Sequence, residues 1–181
     1  MKLSALGYYL DFVLAPLGAV VLLWLFPAPM GAAFPVGLAI GFALWTLAEY
    51  LVHRFVYHQL PYFERLHDAH HAEPDALIGA PPFIGPAMVA LAGALAFSLG
   101  VGFGDGFMIG GLAGYLAYIG VHHWAHHYRG DLNPALRALR AHHVRHHAAH
   151  GEGNYGVVTS FWDHVFGTVV EGRRKGMQTQ S

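Results

Sequence analysis

The chain has 181 residues, of which 55% are hydrophobic and only 12% charged, and its formal net charge is −1. That balance is too apolar for an ordinary soluble domain of this length and predicts an integral membrane protein. It supplies no basic field for nucleic acid, and the lack of cysteine excludes disulfides, thiolate-ligated haem and cysteine-held iron–sulfur clusters.

Residues 5–26 form the first predicted span, an apolar run too long for a signal-peptide core and without a small-residue cleavage pattern, despite Asp11. Pro27-Ala28-Pro29-Met30-Gly31 cannot continue that helix, because each proline removes a donor and clashes with the preceding turn. A second span covers 32–52 and a third covers 83–103. The glycine-rich tract from Gly100 to Gly106 is read as a tight loop, and a fourth span covers 107–128. Each span has roughly the twenty residues needed to cross about 30 Å of hydrocarbon. Asn133-Pro134 is a helix start, with asparagine as N-cap and proline in the first turn, and the helix it opens is predicted to run from 134 to about 150 and stop at Gly151 as its C′ glycine. The whole chain, 1–181, is expected to be one all-α, membrane-embedded domain. Four transmembrane helices would carry a cytosolic helical cap built from 53–82 and 129–181.

Four crossings put both termini on one side, and all ten lysines and arginines lie on that same side. They are Lys2, Arg54, Arg65, Arg129, Arg137, Arg140, Arg145, Arg173, Arg174 and Lys175, while the loops near 27–31 and 100–106 carry none. The positive-inside rule makes that face cytoplasmic. Gly93, Gly100, Gly110, Gly111, Gly114 and Gly120 in the last two spans either admit close helix approach or reflect the general abundance of glycine in membrane helices.

Fifteen histidines fall between His53 and His164, in clusters divided by apolar runs. Residues three and four apart share a helix face. His67/His70/His71, His122/His126 and His143/His146/His147 can therefore each present imidazoles to a common centre. His53 and His58 are five apart, roughly 140° around an α-helix, so they suit one metal only if the helix ends or distorts between them. Neutral imidazole ligates iron, zinc and copper, and about ten such ligands exceed the four to six that one ion takes. A dinuclear site follows. His123, His127, His142, His150 and His164 duplicate filled positions and are expected outside the ligand shell, with His127 and His142 the closest to it.

Several other residues invite a role. A carboxylate at the depth of Glu49 is costly unless paired, and Arg54, Arg65 or a histidine is its expected partner. Asp163 either accepts the second N–H of a ligand histidine or is a helix cap or a solvated acid. Tyr50, Tyr57, Tyr155, Trp124 and Trp162 are read as interfacial aromatics, with an acyl tunnel as the other reading.

The pattern His53-x4-His58, His67-x2-His70-His71, His122-x3-His126 and His143-x2-His146-His147 resembles the histidine boxes of the fatty acid hydroxylase and sterol desaturase superfamily. The segment from Asn154 to Thr168 and the approach Glu49-Tyr50-Leu51-Val52-His53 are similar to the fatty acid 2-hydroxylase branch. The resemblance covers roughly residues 45–170. It implies ten ligands to two metal ions: His53, His58, His67, His70, His71, His122, His126, His143, His146 and His147. The expected metal is iron, and zinc would also occupy an all-imidazole site in a purified sample, because raw affinity does not select iron. The implied reaction is O2-dependent hydroxylation of a fatty acid or acyl lipid at its 2-position. No fused cytochrome b5 domain is expected, so the resemblance implies a separate electron donor, cytochrome b5-like or ferredoxin-like.

Within the superfamily, a sterol or carotenoid hydroxylase or desaturase fits the boxes equally. A histidine-rich metal transporter would need polar residues at the bilayer midplane, where these spans carry only Asp11 and Ser98. A haem-binding subunit would leave most clusters unexplained.

Overall fold

The structure, a computed structural model, describes residues 3–25, 31–79, 84–100, 102–128, 130 and 133–171. The predicted turn at Pro27–Met30, together with Lys2, Arg129 and residues 172–181, lies outside the described residues. Among those described the architecture is all-helical, without a strand. Its elements are α1 (Ala5–Leu25), α2 (Ala33–Leu51), a π-helical turn (Val52–Tyr57), α3 (Pro61–Ala72), α4 (Ile84–Leu99), α5 (Phe103–His127), α6 (Pro134–Ala148) and α7 (Phe161–Val165).

Two helices, α1 with 21 residues and the continuous stretch Ala33–Tyr57 with 25, are long and apolar enough to cross a membrane. Much of their apolar surface faces outward, as at Leu6, Val13, Leu17 and Val20 of α1. The third predicted span falls on α4, with 16 helical residues, and the fourth on α5, with 25.

Pairing between helices is governed by small residues. A Cβ on Gly37 or Gly41 of α2 would strike the backbone of Phe103 or Phe107 on α5, and one on Gly106 or Gly110 of α5 would strike Phe34 or Leu38. The contacts climb both helices together, so α2 and α5 run parallel with their backbones nearly touching. Asp11 of α1 meets Tyr115 of α5, and Tyr8 meets His123, so α1 runs antiparallel to α5. The start of α1, the end of α2 and the end of α5 consequently share one end of the bundle, where α3 and α6 pack against the π-helical turn and α5.

Three details depart from expectation. The tract 100–106 is not all loop, because α5 begins at Phe103. Asp105 Oδ2 accepts from the N–H of Gly102 at 2.8 Å, which caps the first turn, and Gly104 and Gly106 serve close packing against Ala96 and Phe34. At the end of α6, His150 takes the left-handed C′ position (φ 54°) and Gly151 (φ 81°) follows it. Gly151 N–H then donates to His146 O and His150 N–H to His147 O, a Schellman ending displaced by one residue from the glycine predicted. Tyr50 is buried instead of interfacial, its hydroxyl bonded to Thr168 Oγ1 at 3.1 Å and its ring stacked on Phe166. The start of α6 is as expected: Asn133 Oδ1 accepts from Leu136 N–H at 2.9 Å.

Candidate metal centre

Four elements deliver histidines to the shared end of the bundle. α2 and its π-helical turn bring His53 and His58, α3 brings His67, His70 and His71, α5 brings His122 and His126, and α6 brings His143, His146 and His147. Nine of them form two groups: His53, His58, His67, His71 and His146 in one, His70, His122, His126 and His143 in the other. Within each group one nitrogen per ring lies within 4.8 Å of all the others.

The groups cut across the sequence clusters. His67 and His71 face one centre while His70, between them, faces the second, and His146 and His143 part in the same way. One cluster was expected to share one centre. Because 100° separates successive residues on a helix, α3 and α6 straddle the space between the two groups and feed both. His147 joins neither set, yet its Nε2 lies 3.2 Å from that of His143 and its ring stacks on His71 at 4.2 Å, between the two groups.

The nitrogens point inward. Nε2 of His67 sits 2.9 Å from that of His53 and 3.1 Å from that of His71, and His58 and His146 approach to 3.2 Å. In the other group the His122–His70 and His126–His143 separations are 3.0 and 2.9 Å. His53 Nδ1 donates to Tyr155 O at 2.5 Å and His146 Nδ1 to Gly153 O at 2.7 Å. A carbonyl only accepts, so both rings carry their proton on Nδ1 and turn a bare Nε2 lone pair toward the group. Burial, reinforced by neighbouring imidazoles, lowers His70 from 6.5 to about 3 and His71 to about 4. It also lowers His146 to about 3 and His147 to about 2. His67 and His143 are pushed well below 6.5 by the same causes. Convergent, neutral imidazoles that resist protonation are the donor set that a divalent transition-metal ion takes.

The remaining histidines stay apart from both groups. His123 and His127 stack on each other at 4.7 Å beside Tyr8, and His164 Nδ1 donates to Ser160 O at 2.8 Å. His142 Nε2 lies 2.9 Å from Asp163 Oδ2, so Asp163 holds a histidine outside the groups. That carboxylate also accepts from Tyr155 N–H, Gly156 N–H and Thr168 Oγ1. Burial alone would raise its pKa, but the hydrogen bond from His142 and the other three hold it below the ordinary carboxylate value. Among the described residues Glu49 is paired with neither arginine nor histidine. Its two oxygens accept from Val157 N–H at 2.5 Å and Val158 N–H at 3.3 Å. The carbonyls of Gly153 and Tyr155 escaped sequence reasoning, since a backbone atom's role leaves no trace in residue identity beyond the glycine at 153.

Helix-borne histidines in two convergent sets, mounted at one end of an apolar helical bundle, define a histidine-rich metal-binding membrane-type domain. The family model for fatty acid hydroxylase matches residues 38–168, and the chain belongs to that family. It is 32% identical over 149 residues to a fatty acid 2-hydroxylase of Macaca fascicularis, covering 76% of this chain and 40% of the relative. It is 30% identical over 155 residues to a dihydroceramide fatty acyl 2-hydroxylase of Arabidopsis thaliana, covering 78% of this chain and 65% of that protein. The chain thus spans less than two thirds of the length of these relatives. A solved structure of full-length Scs7p, with only its hydroxylase domain visible, superposes with a TM-score of 0.69 at 26% identity. That match covers 94% of this chain and 68% of the other.

Proposed function

We propose that this chain is a membrane-embedded hydroxylase that uses two metal ions, dioxygen and two electrons from a separate donor to hydroxylate a lipid acyl chain at its 2-position. The observation that carries the reading is the division of nine imidazoles into two inward-facing groups at one end of the bundle. The proposed ligands are the ten histidines of the four boxes, with His147 completing the second group or bridging the two, and the proposed metal is iron. When bound, a pair of redox-active ions supplies the oxygen activation that an unactivated C–H bond requires.

The protein's own part is to deliver and hold the carbon. An apolar cavity of about 200 Å³ lies between α2, α4 and α5, lined by Trp45, Met88, Leu91, Phe107, Leu112 and Tyr115 among others. Trp45 is eight residues before His53 and Tyr115 seven before His122, about 10–12 Å of helix rise below the histidines. A hydrocarbon tail seated there would leave its carbonyl end beside the two groups, with water kept away by the apolar walls. The relatives' own substrates, a fatty acid and the fatty acyl group of dihydroceramide, support an acyl lipid.

In the same reading α1, α2, α4 and α5 cross the bilayer, and the histidine end faces the cytoplasm with the arginines. The whole chain then acts as one domain.

Metal analysis of detergent-purified protein, beside lipid analysis of the expressing cells, tests the proposal. Wild type should hold near two metals per chain and produce a 2-hydroxylated acyl lipid, and His70→Ala with His146→Ala should lose both. Wild type without stoichiometric metal, or with metal and no altered lipid, would reject it.

A further inference from the structure

Among the nine grouped imidazoles, His53 and His146 share one feature: both give their Nδ1 proton to carbonyls of a single short segment, at Tyr155 and Gly153. Both belong to the five-histidine group. In the four-histidine group, Nδ1 of His70 and of His143 is buried without a hydrogen-bond partner among the described residues. Ring hydrogen bonds from segment 153–157 therefore reach the five-histidine group, and none to the four-histidine group is found among the described residues.

Two carboxylates that join neither group hold that segment. Asp163, fully buried, accepts from the N–H groups of Tyr155 at 2.8 Å and Gly156 at 2.9 Å, so it fixes the peptides before and after Tyr155, the second of which carries the Tyr155 carbonyl. A Cβ on Gly156 would strike the Thr159 carbonyl oxygen, a closeness that only glycine allows, and would lie 3.0 Å from Asp163 Oδ2. Glu49 takes the next two N–H groups, those of Val157 and Val158. It stands one turn before His53 on the same helix face, so a single stretch of α2 both anchors the segment and receives its carbonyl.

We infer that Asp163 and Glu49 are positioning residues for the five-histidine site. They set the Gly153 and Tyr155 carbonyls, which in turn fix the tautomer and ring orientation of His146 and His53. One metal ion depends on them and the other does not. The inference rests on the dimetal reading above.

Zinc titration of the stripped, detergent-purified full chain tests it, with Asp163→Asn and Glu49→Gln beside wild type. Each amide keeps the size of the acid but turns an NH2 toward a backbone N–H, so one contact is lost. Wild type should bind two zinc ions. Each variant should bind one as tightly as wild type and the second about 10–100-fold more weakly, with helical content unchanged. If Asp163→Asn yields no folded protein, Thr168→Val, which removes the 2.7 Å hydroxyl donor to Asp163 together with the contact to the Tyr50 hydroxyl, is read in the same way. Two ions bound as in wild type, or both weakened alike, would overturn the positioning role while leaving the dimetal reading intact. A wild type that binds no stoichiometric zinc would overturn both.

Discussion

The rings of His53 and His58 lie 5.2 Å apart, with their planes 25° from parallel, although five residues separate them in sequence. On an α-helix that spacing would point them roughly 140° apart. Val52–Tyr57 winds instead as a π-helix, whose wider turn brings residues i and i+5 onto one face. The local winding thus brings the first histidine pair together, and it sits where α2 leaves the bundle.

The π-helical turn makes a prediction about spacing. Deleting Val56 leaves the two histidines four apart, which an ordinary α-helix also places on one face. Inserting an alanine after Phe55 leaves them six apart, roughly 120° around an α-helix and so on different faces. The deletion should keep near-wild-type metal content, and the insertion should weaken one of the two sites at least about tenfold. Equal loss in both variants would mean that the winding itself, and not the shared face, is required.

Acid should destabilise the metal-free protein. The unfolded chain's histidines titrate near 6.5, while burial lowers His70 and His146 to about 3 and His71 to about 4. Between those values the unfolded state binds more protons than the folded one, so stability rises with pH across the window. It is fully present above about 6.5 and declines as pH falls toward about 3. Melting of chelator-treated protein between pH 7.5 and 5 should show a falling Tm, and a flat profile would contradict neutral, buried imidazoles.

Glycines in the long helices should divide by contact. Gly110→Ala places a methyl against the Leu38 carbonyl and Gly41→Ala places one against Phe107, both backbone atoms. Such overpacking costs about 1–3 kcal/mol, read as a lower Tm in detergent. Gly111→Ala and Gly120→Ala meet nothing within 4 Å and should melt like wild type or slightly above it.

Histidines inside and outside the groups should separate cleanly. His67 lies between His53 and His71, and His67→Ala should lower metal content. Among the described residues the side chain of His164 bonds to Ser160 O in its own helix turn and to no other group, so His164→Gln should leave metal content and hydroxylated lipid unchanged. A similar loss from both would mean that histidine number, and not placement, sets the metal content.

The positions of the helices and the histidine faces were legible in the sequence, because helix phase is local: spacings of three and four fix which residues share a face whatever the rest of the chain does. The N-cap at Asn133 and the need for a distortion between His53 and His58 were readable for the same reason. What only the tertiary structure decided were relations between helices. The parallel contact of α2 and α5 chooses Gly106 and Gly110 for backbone contact and leaves Gly111 open. The straddling of α3 and α6 sends His70 to one group and His67 and His71 to the other. Glu49 meets the amides of Val157 and Val158, and not the arginines nearer in sequence, because a segment more than a hundred residues away folds back over α2. Long-range packing selects among locally allowed faces, and no spacing along a single chain encodes that choice.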